Sequence, residues 1–249
     1  MAQSGYGKIR IFEDFTGPEV PVALTTDFEN IGPFLSGGEG IEDNDAGIVR
    51  LDTDANNGVV RLVSANVAKD TTAVFTGQMF VAGTMGQLAC EARVRMPDLD
   101  DKAVFIGFAD ANDDDINGAD DLLERASNTT FTLNGSNFCG FFWHSEVEVA
   151  DEDWYGVFRG GDTTGVTAAA NVDLDADATL GEFQVLRLEI ETNGTARWYV
   201  DGVLKQTQTG AVSTTDELAF LCAVTATDTE FGHLEVDYLA VEANRDWTV

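Results

Sequence analysis

The segment Asp113-Asp114-Asp115-Ile116-Asn117-Gly118-Ala119-Asp120-Asp121-Leu122-Leu123-Glu124 places oxygen-bearing side chains at the spacing of a calcium-binding loop. Asp113, Asp115, Asn117 and Glu124 fall at ligand positions, and Gly118 falls where such a loop turns sharply. Hard oxygen donors at alternate positions let one loop wrap a cation at about 2.4 Å, and the distal glutamate closes the shell. Ca2+ is the one cofactor this pattern suggests. Two features oppose it: a strand-like stretch at 105–109 stands where a helix should precede the loop, and Asp120 occupies an apolar position. A solvated acidic loop ending in a helical turn fits the same residues.

Aromatic side chains form the next constellation. Phe141, Phe142, Trp143, Trp154, Tyr155 and Phe158 cluster in sequence, and neighbours on a strand point to opposite faces. Some must then lie outside the core, where rings beside acidic groups suit either a sugar-binding cleft or a subunit interface. Trp143, Trp154 and Tyr155 are the binding candidates. Filling a core and a covering layer is the structural alternative.

Carboxylates alternate at Glu235-Val236-Asp237 and at Glu189-Ile190-Glu191. A retaining glycosidase needs two carboxyls about 5 Å apart. The third acid of the strand, counting Glu235 and Asp237, is Glu242, which without a bulge faces the other side of the strand from Glu235. The histidines, His144 and His233, accompany no G-x-S-x-G elbow, and no phosphate-cradling glycine motif or C-x-x-C pair occurs. The residues give no reason to expect an enzyme.

The elements that would position these groups are strands. At 183–208 the chain reads FQVLRLEIETNGTARWYVDGVLKQTQ, with Leu186, Leu188 and Ile190 alternating against Arg187, Glu189 and Glu191. Asn193-Gly194 and Asp201-Gly202 close two hairpins, the second with the residues of a type I′ turn. Further strands are expected at 8–15, 47–52, 59–64, 72–75, 87–96, 103–109, 137–144, 154–159, 217–224 and 233–243, enough for two stacked antiparallel sheets. The only helix expected is a short one at 119–126. Residues 1–45 read as an N-terminal arm or edge strands, and 46–249 as the sandwich, together one structural unit.

Composition supports a core-forming chain, with 16 Phe, 4 Trp and only 4 Pro in 249 residues. A formal net charge of −30 repels phosphate backbones, which argues against direct nucleic-acid binding. No window is apolar enough for a membrane span, and the N-terminus has no signal-peptide core, so a cytoplasmic origin is expected. Cys90, Cys139 and Cys222 sit in apolar strand contexts without close spacing and read as buried, reduced thiols. The sequons at Asn128, Asn134 and Asn193 carry no weight without a secretory signal.

The order of QLACEARVRM (87–96), VFIGFAD (104–110), FCGFFWH (138–144), WYVDGVL (198–204) and LEVDYLAVE (234–242) resembles the concanavalin-A-like lectin/glucanase jelly roll. That resemblance implies an all-β, two-sheet antiparallel sandwich. Glucanases of this fold carry an E-x-D strand with a further glutamate, a pattern that Glu235, Asp237 and Glu242 meet only in part. The GFAD strand followed by an acidic loop is also similar to jelly-roll virion proteins of tailed bacteriophages. This second likeness implies a capsid decoration (cement) protein located in the virion. Its expected partners are the major capsid protein and copies of itself in a homotrimer. The alternative is a lectin-like module with a glycan ligand and possible dependence on Ca2+.

Overall fold

Period-two alternation decides which face of each strand is buried, and it builds two sheets here. In the computed structural model the described residues are 7–16, 29–31, 33–37, 47–50, 58–111, 117–147, 152–163 and 172–245. In chain order their strands are Lys8–Glu13 (β1), Glu29–Ile31 (β2), Phe34–Gly37 (β3), Gly47–Arg50 (β4), Val60–Val63 (β5), Thr71–Phe75 (β6), Phe80–Val81 (β7), Leu88–Arg95 (β8), Lys102–Ala109 (β9) and Leu123–Ser127 (β10). Thr130–Leu133 (β11), Phe138–His144 (β12), Asp153–Arg159 (β13), Asp173–Asp177 (β14), Phe183–Ile190 (β15), Ala196–Val200 (β16), Val203–Gln208 (β17), Glu217–Ala226 (β18) and His233–Asn244 (β19) follow.

The first sheet runs β17-β16-β15-β8-β19-β5-β4, with β1 paired to the C-terminal half of β19. The second runs β14-β13-β12-β9-β18-β6-β3-β2, with β7 added beside β18. Every pairing between these strands is antiparallel. This is the two-sheet all-β sandwich expected from the strand pattern.

Between the sheets lie Cys90, Leu188 and Trp198 from the first and Phe108, Phe141, Trp154 and Cys222 from the second, all at most 1% exposed. Two indoles stitch the layers together. Trp198 Nε1 donates to Gly140 O on the second sheet at 2.9 Å, and Trp154 Nε1 donates to Gln184 Oε1 on the first at 3.1 Å. Each ring removes roughly 150–250 Å² from water, about 4–6 kcal/mol by area, while its one polar atom keeps a partner. The three cysteines are free and buried, and burial pushes the Cys90 thiol up to about 12.

Turn chemistry agrees with the sequence at Asp201-Gly202, where both residues have positive φ (49° and 78°), the type I′ requirement. At Asn193-Gly194 only the glycine is left-handed (φ 74°), and its N–H donates to Glu191 O at 2.9 Å. Within the N-terminal 45 residues, β1 joins the first sheet and β2 and β3 form an edge of the second, with Phe15 and Phe34 fully buried.

The helix expected at 119–126 does not form. A π-helical turn, Gly118–Leu122, passes directly into β10. Asn117 caps it, but Asn134 N and Gly135 N both donate to Leu122 O at 2.8 Å, and Asn134 Nδ2 takes Ala119 O. These carbonyls are spent on Asn134 and Gly135, just past the returning strand β11, so no second helical turn can follow. Leu122 and Leu123 are also buried in succession, which suits a strand entering a packed layer.

Candidate functional site

The π-turn and the β10–β11 hairpin lie across the outward face of the second sheet, and they make the site. Cross-strand registers place Thr71, Thr225, Ala103, His144 and Phe105, Phe142, Tyr155 on that face, opposite in parity to the core residues. At one end of the insertion Gly118 N donates to Thr71 Oγ1 at 2.8 Å, and Thr71 and Thr225 share a hydroxyl bond at 2.9 Å. A Cβ on Gly118 would stand 2.4 Å from Thr225 Oγ1, so this approach requires glycine. At the other end Phe131 packs edge-on against Phe142 (5.2 Å between centroids) and Tyr155 (5.3 Å). Lys69 clasps the insertion from outside, bonding Asp120 Oδ1 at 2.7 Å and Glu124 Oε2 at 3.1 Å, contacts that raise its own pKa.

Beneath this strap remains a cavity of about 150 Å³, open on one side. Its floor is apolar, formed in part by Phe105 and Phe142; its rim is polar, with Arg125, His144, Glu146 and Thr227. His144 is 7% exposed, and its Nδ1 accepts from Glu146 N at 3.1 Å. Acceptance at Nδ1 puts the ring proton on Nε2, which makes no hydrogen bond among the described residues. Burial first, and then the Arg125 charge, lowers its pKa to about 4, so the imidazole is neutral at physiological pH. Arg125 bonds Glu146 Oε2 at 2.8 Å and Asn128 Oδ1 at 2.7 Å, while its buried Nε has no partner among the described residues. The cavity thus offers one unspent N–H donor, His144 Nε2, over a ring-lined floor, while Arg125 is held by Glu146 and Asn128 and its Nε is shut off from the cavity.

No family model and no curated protein matches this sequence. Solved structures do. The chain is similar to a protein of unknown function from Shewanella oneidensis MR-1, with a TM-score of 0.55 and 13% identity over 97% of this chain and 89% of that one. It is similar to the carbohydrate recognition domain of Emp47p, with a TM-score of 0.56 and 10% identity over 97% and 96% of the two chains. The third is the endo-β-1,3-glucanase of Pyrococcus furiosus, with a TM-score of 0.54 and 14% identity over 95% and 94%. The fold is the concanavalin-A-like sandwich.

Within this concanavalin-A-like sandwich the carboxylates on β19 lie on the outward face of the first sheet, across the core from the cavity. Glu235 is 2% exposed and bonded by both Arg61 and Arg95. Asp237 sits at a bulge and is bonded by Arg93. The bulge returns Glu242 to Glu235's face, contrary to a regular strand, but Glu242 pairs with Arg10 at 3.2 Å. At about 3.3 Å per residue it lies roughly 20 Å along the strand, too far to work with Glu235 as a glycosidase pair. Glu189 and Glu191 are likewise bonded by Arg187 and Arg197.

The calcium-loop pattern does not assemble in its described half. Asp113 and Asp115 lie outside the described residues. Asn117 Oδ1 is used in capping, accepting from Ala119 N and Asp120 N, both at 3.0 Å. Glu124 Oε2 is bonded by the Lys69 ammonium at 3.1 Å. Among the described residues no group of three His, Cys, Asp or Glu side chains could hold a metal ion.

The aromatic candidates go to the interior instead of a binding face. Trp143 and Trp154 are 1% exposed, and Trp143 Nε1 donates to Glu152 O at 3.0 Å. Tyr155 faces outward but is fully covered by Phe131. The sequence reading missed the β10–β11 hairpin that does this covering. Its signal was present in Leu122, Leu123 and Phe131, apolar residues around an Asn-Thr turn. The site residues it did not single out are Phe105, Arg125 and Glu146, which spacing alone does not bring together with His144.

Proposed function

We propose that this chain is a carbohydrate-binding module that takes its ligand in the cavity on the outward face of the second sheet. The observation that carries this reading is the cavity itself: apolar aromatic edges below, and the unspent His144 Nε2 donor and the Glu146 carboxylate beside them. Sugars present one relatively apolar ring face and a belt of hydroxyls, and such a floor and rim complement both. Support of a coarser kind comes from the matched structures, one a carbohydrate recognition domain and one an endo-β-1,3-glucanase. Fold alone does not carry function, so the reading stands on the cavity. No described residue speaks for the virion role implied by the sequence resemblance.

The test is a glycan array probed with the labelled chain, followed by NMR of His144 for each positive. Binding at this site perturbs the His144 ring signals and leaves those of His233, on the other sheet, in place. Failure to bind any glycan would refute the reading.

A further inference from the structure

Resting on the carbohydrate-binding reading, we infer that the cavity takes one uncharged sugar ring at the end of a chain, excluding both uronates and internal stretches of polysaccharide. Size comes first. A cavity of about 150 Å³ holds a single six-membered ring. The strap is what limits it: Gly118 is bonded down onto Thr71 at one side, and Phe131 is packed on Phe142 and Tyr155 at the other. A chain running along the sheet face would have to displace a strap whose Leu122, Leu123 and Phe131 are at most 3% exposed. A terminal ring enters from the open side and needs no such displacement. The same geometry leaves no room to bracket a scissile bond, which needs a ring on each side of it.

Charge decides the second half. Both cations at the cavity are already neutralised, Lys69 by Asp120 and Glu124 and Arg125 by Glu146. His144 is neutral because burial and Arg125 hold its pKa down. A ligand carboxylate would gain no free cation, would meet Glu124 and Glu146 at the rim, and would lose its hydration on entry. A hydroxyl can accept from His144 Nε2 and donate in turn to the Glu146 carboxylate, with no charge left uncompensated. The formal charge of −30 adds long-range repulsion of any anionic chain.

The test is ligand-observed NMR and calorimetry with the intact chain. The probes are methyl pyranosides of glucose, galactose, mannose and xylose, the corresponding glucuronate and galacturonate, and neutral oligosaccharides of two to six units built from each neutral binder. At least one neutral glycoside is expected to bind, and its uronate counterpart to bind at least tenfold more weakly. Affinity should rise by less than about tenfold from the monosaccharide to the hexasaccharide, since only the end ring is enclosed. Ala119→Phe, which adds bulk to a residue lining the cavity, should abolish binding without lowering the melting temperature. Binding only by longer oligosaccharides, or with tenfold gains over successive units, would overturn end recognition. A uronate that binds as well as its neutral counterpart would overturn the charge argument. Both results would leave saccharide binding intact. Absence of binding across every probe and the glycan array would instead remove the underlying reading, and this inference with it.

Discussion

Asp153 offers the sharpest stability prediction, because its carboxyl is placed where ionisation is costly. It is 7% exposed at the start of β13, its Oδ1 has no hydrogen-bond partner among the described residues, and it faces Asp177 across the β13–β14 pair. Burial first, then the charge of Asp173 and the hydrogen bond and charge of Asp177, push its pKa up from 3.8 to about 7. Between those values the folded state binds more protons than the unfolded one. Stability from this group is therefore complete below about pH 4 and is lost as pH rises through 7. Three pKa units correspond to an upper limit of about 4 kcal/mol. Asp173 and Asp177 are exposed, so solvent screens part of this and about 2 kcal/mol is expected. Asp153→Asn keeps the shape, donates to Asp177 and cannot ionise. At pH 8 it should raise the melting temperature by about 4–8 °C, and at pH 4 it should leave it nearly unchanged. Calorimetry of both proteins at the two pH values isolates this term from general charge repulsion, which the pair shares. An equal shift at both pH values, or a loss at pH 8, would refute the argument.

His144 acts in the opposite direction. With its pKa lowered from 6.5 to about 4, the unfolded state binds more protons between those values, so stability falls by about 3 kcal/mol as pH drops through the window. The His144 and Asp153 effects largely cancel in the parent, and Asp153→Asn should expose a melting temperature that climbs from pH 4 to 6.5. NMR titration of the two histidines reads His144 directly; a midpoint near 6.5 would contradict its burial. Phe131→Ala should cost about 3–5 kcal/mol in denaturant unfolding and abolish glycan binding, because it releases the strap from Phe142 and Tyr155. Glu235→Gln should cost about 3 kcal/mol or more, leaving Arg61 and Arg95 facing each other without their shared anion, whereas no glycan-dependent property should change. Chelator should leave the melting temperature where it is, since Lys69 already bonds Glu124 Oε2 and the cap already uses Asn117 Oδ1; a drop would show a bound stabilising cation.

The fold was legible wherever one face of a strand is wet. β15 and β16 alternate cleanly because their outward residues meet water and ion pairs, whereas the bulge at Asp237 breaks the alternation of β19; the Asp201-Gly202 turn states its backbone conformation in its residue types. β12 and β13 gave their positions but not their faces. Both faces of each are covered, one by the core and one by the strap, so Trp143 and Tyr155 look alike in sequence although they point to opposite sides. The site itself was hidden for the same reason. Arg125, His144 and Phe105 come from three strands, and only the docking of Gly118 on Thr71 and Thr225 brings them around one cavity. A glycine among aspartates spells a cation loop by spacing; its tertiary contact shows it to be a foot of the strap.

The two outward faces divide the charge of the molecule, and that division says which of them is open to a ligand. On the first sheet Arg10, Arg61, Arg93, Arg95, Arg187 and Arg197 are each bonded to a carboxylate from the set Glu91, Glu189, Glu191, Glu235, Asp237 and Glu242. Arg93 and Arg95 also lie over the Phe183 ring, at 4.3 and 4.5 Å. A face so cross-linked holds its side chains in place but has little left to offer a ligand, because each new contact would first have to break a pair. On the second sheet the strap is seated on Thr71 at one end and on Phe142 and Tyr155 at the other, and the cavity beneath it keeps His144 Nε2 unpaired beside aromatic edges. The excess negative charge of the chain therefore falls outside the first sheet's balanced lattice. Raising the salt concentration should weaken that lattice and leave neutral-sugar affinity unchanged, whereas a carboxylated ligand, repelled at long range, would bind better as salt screens the charge.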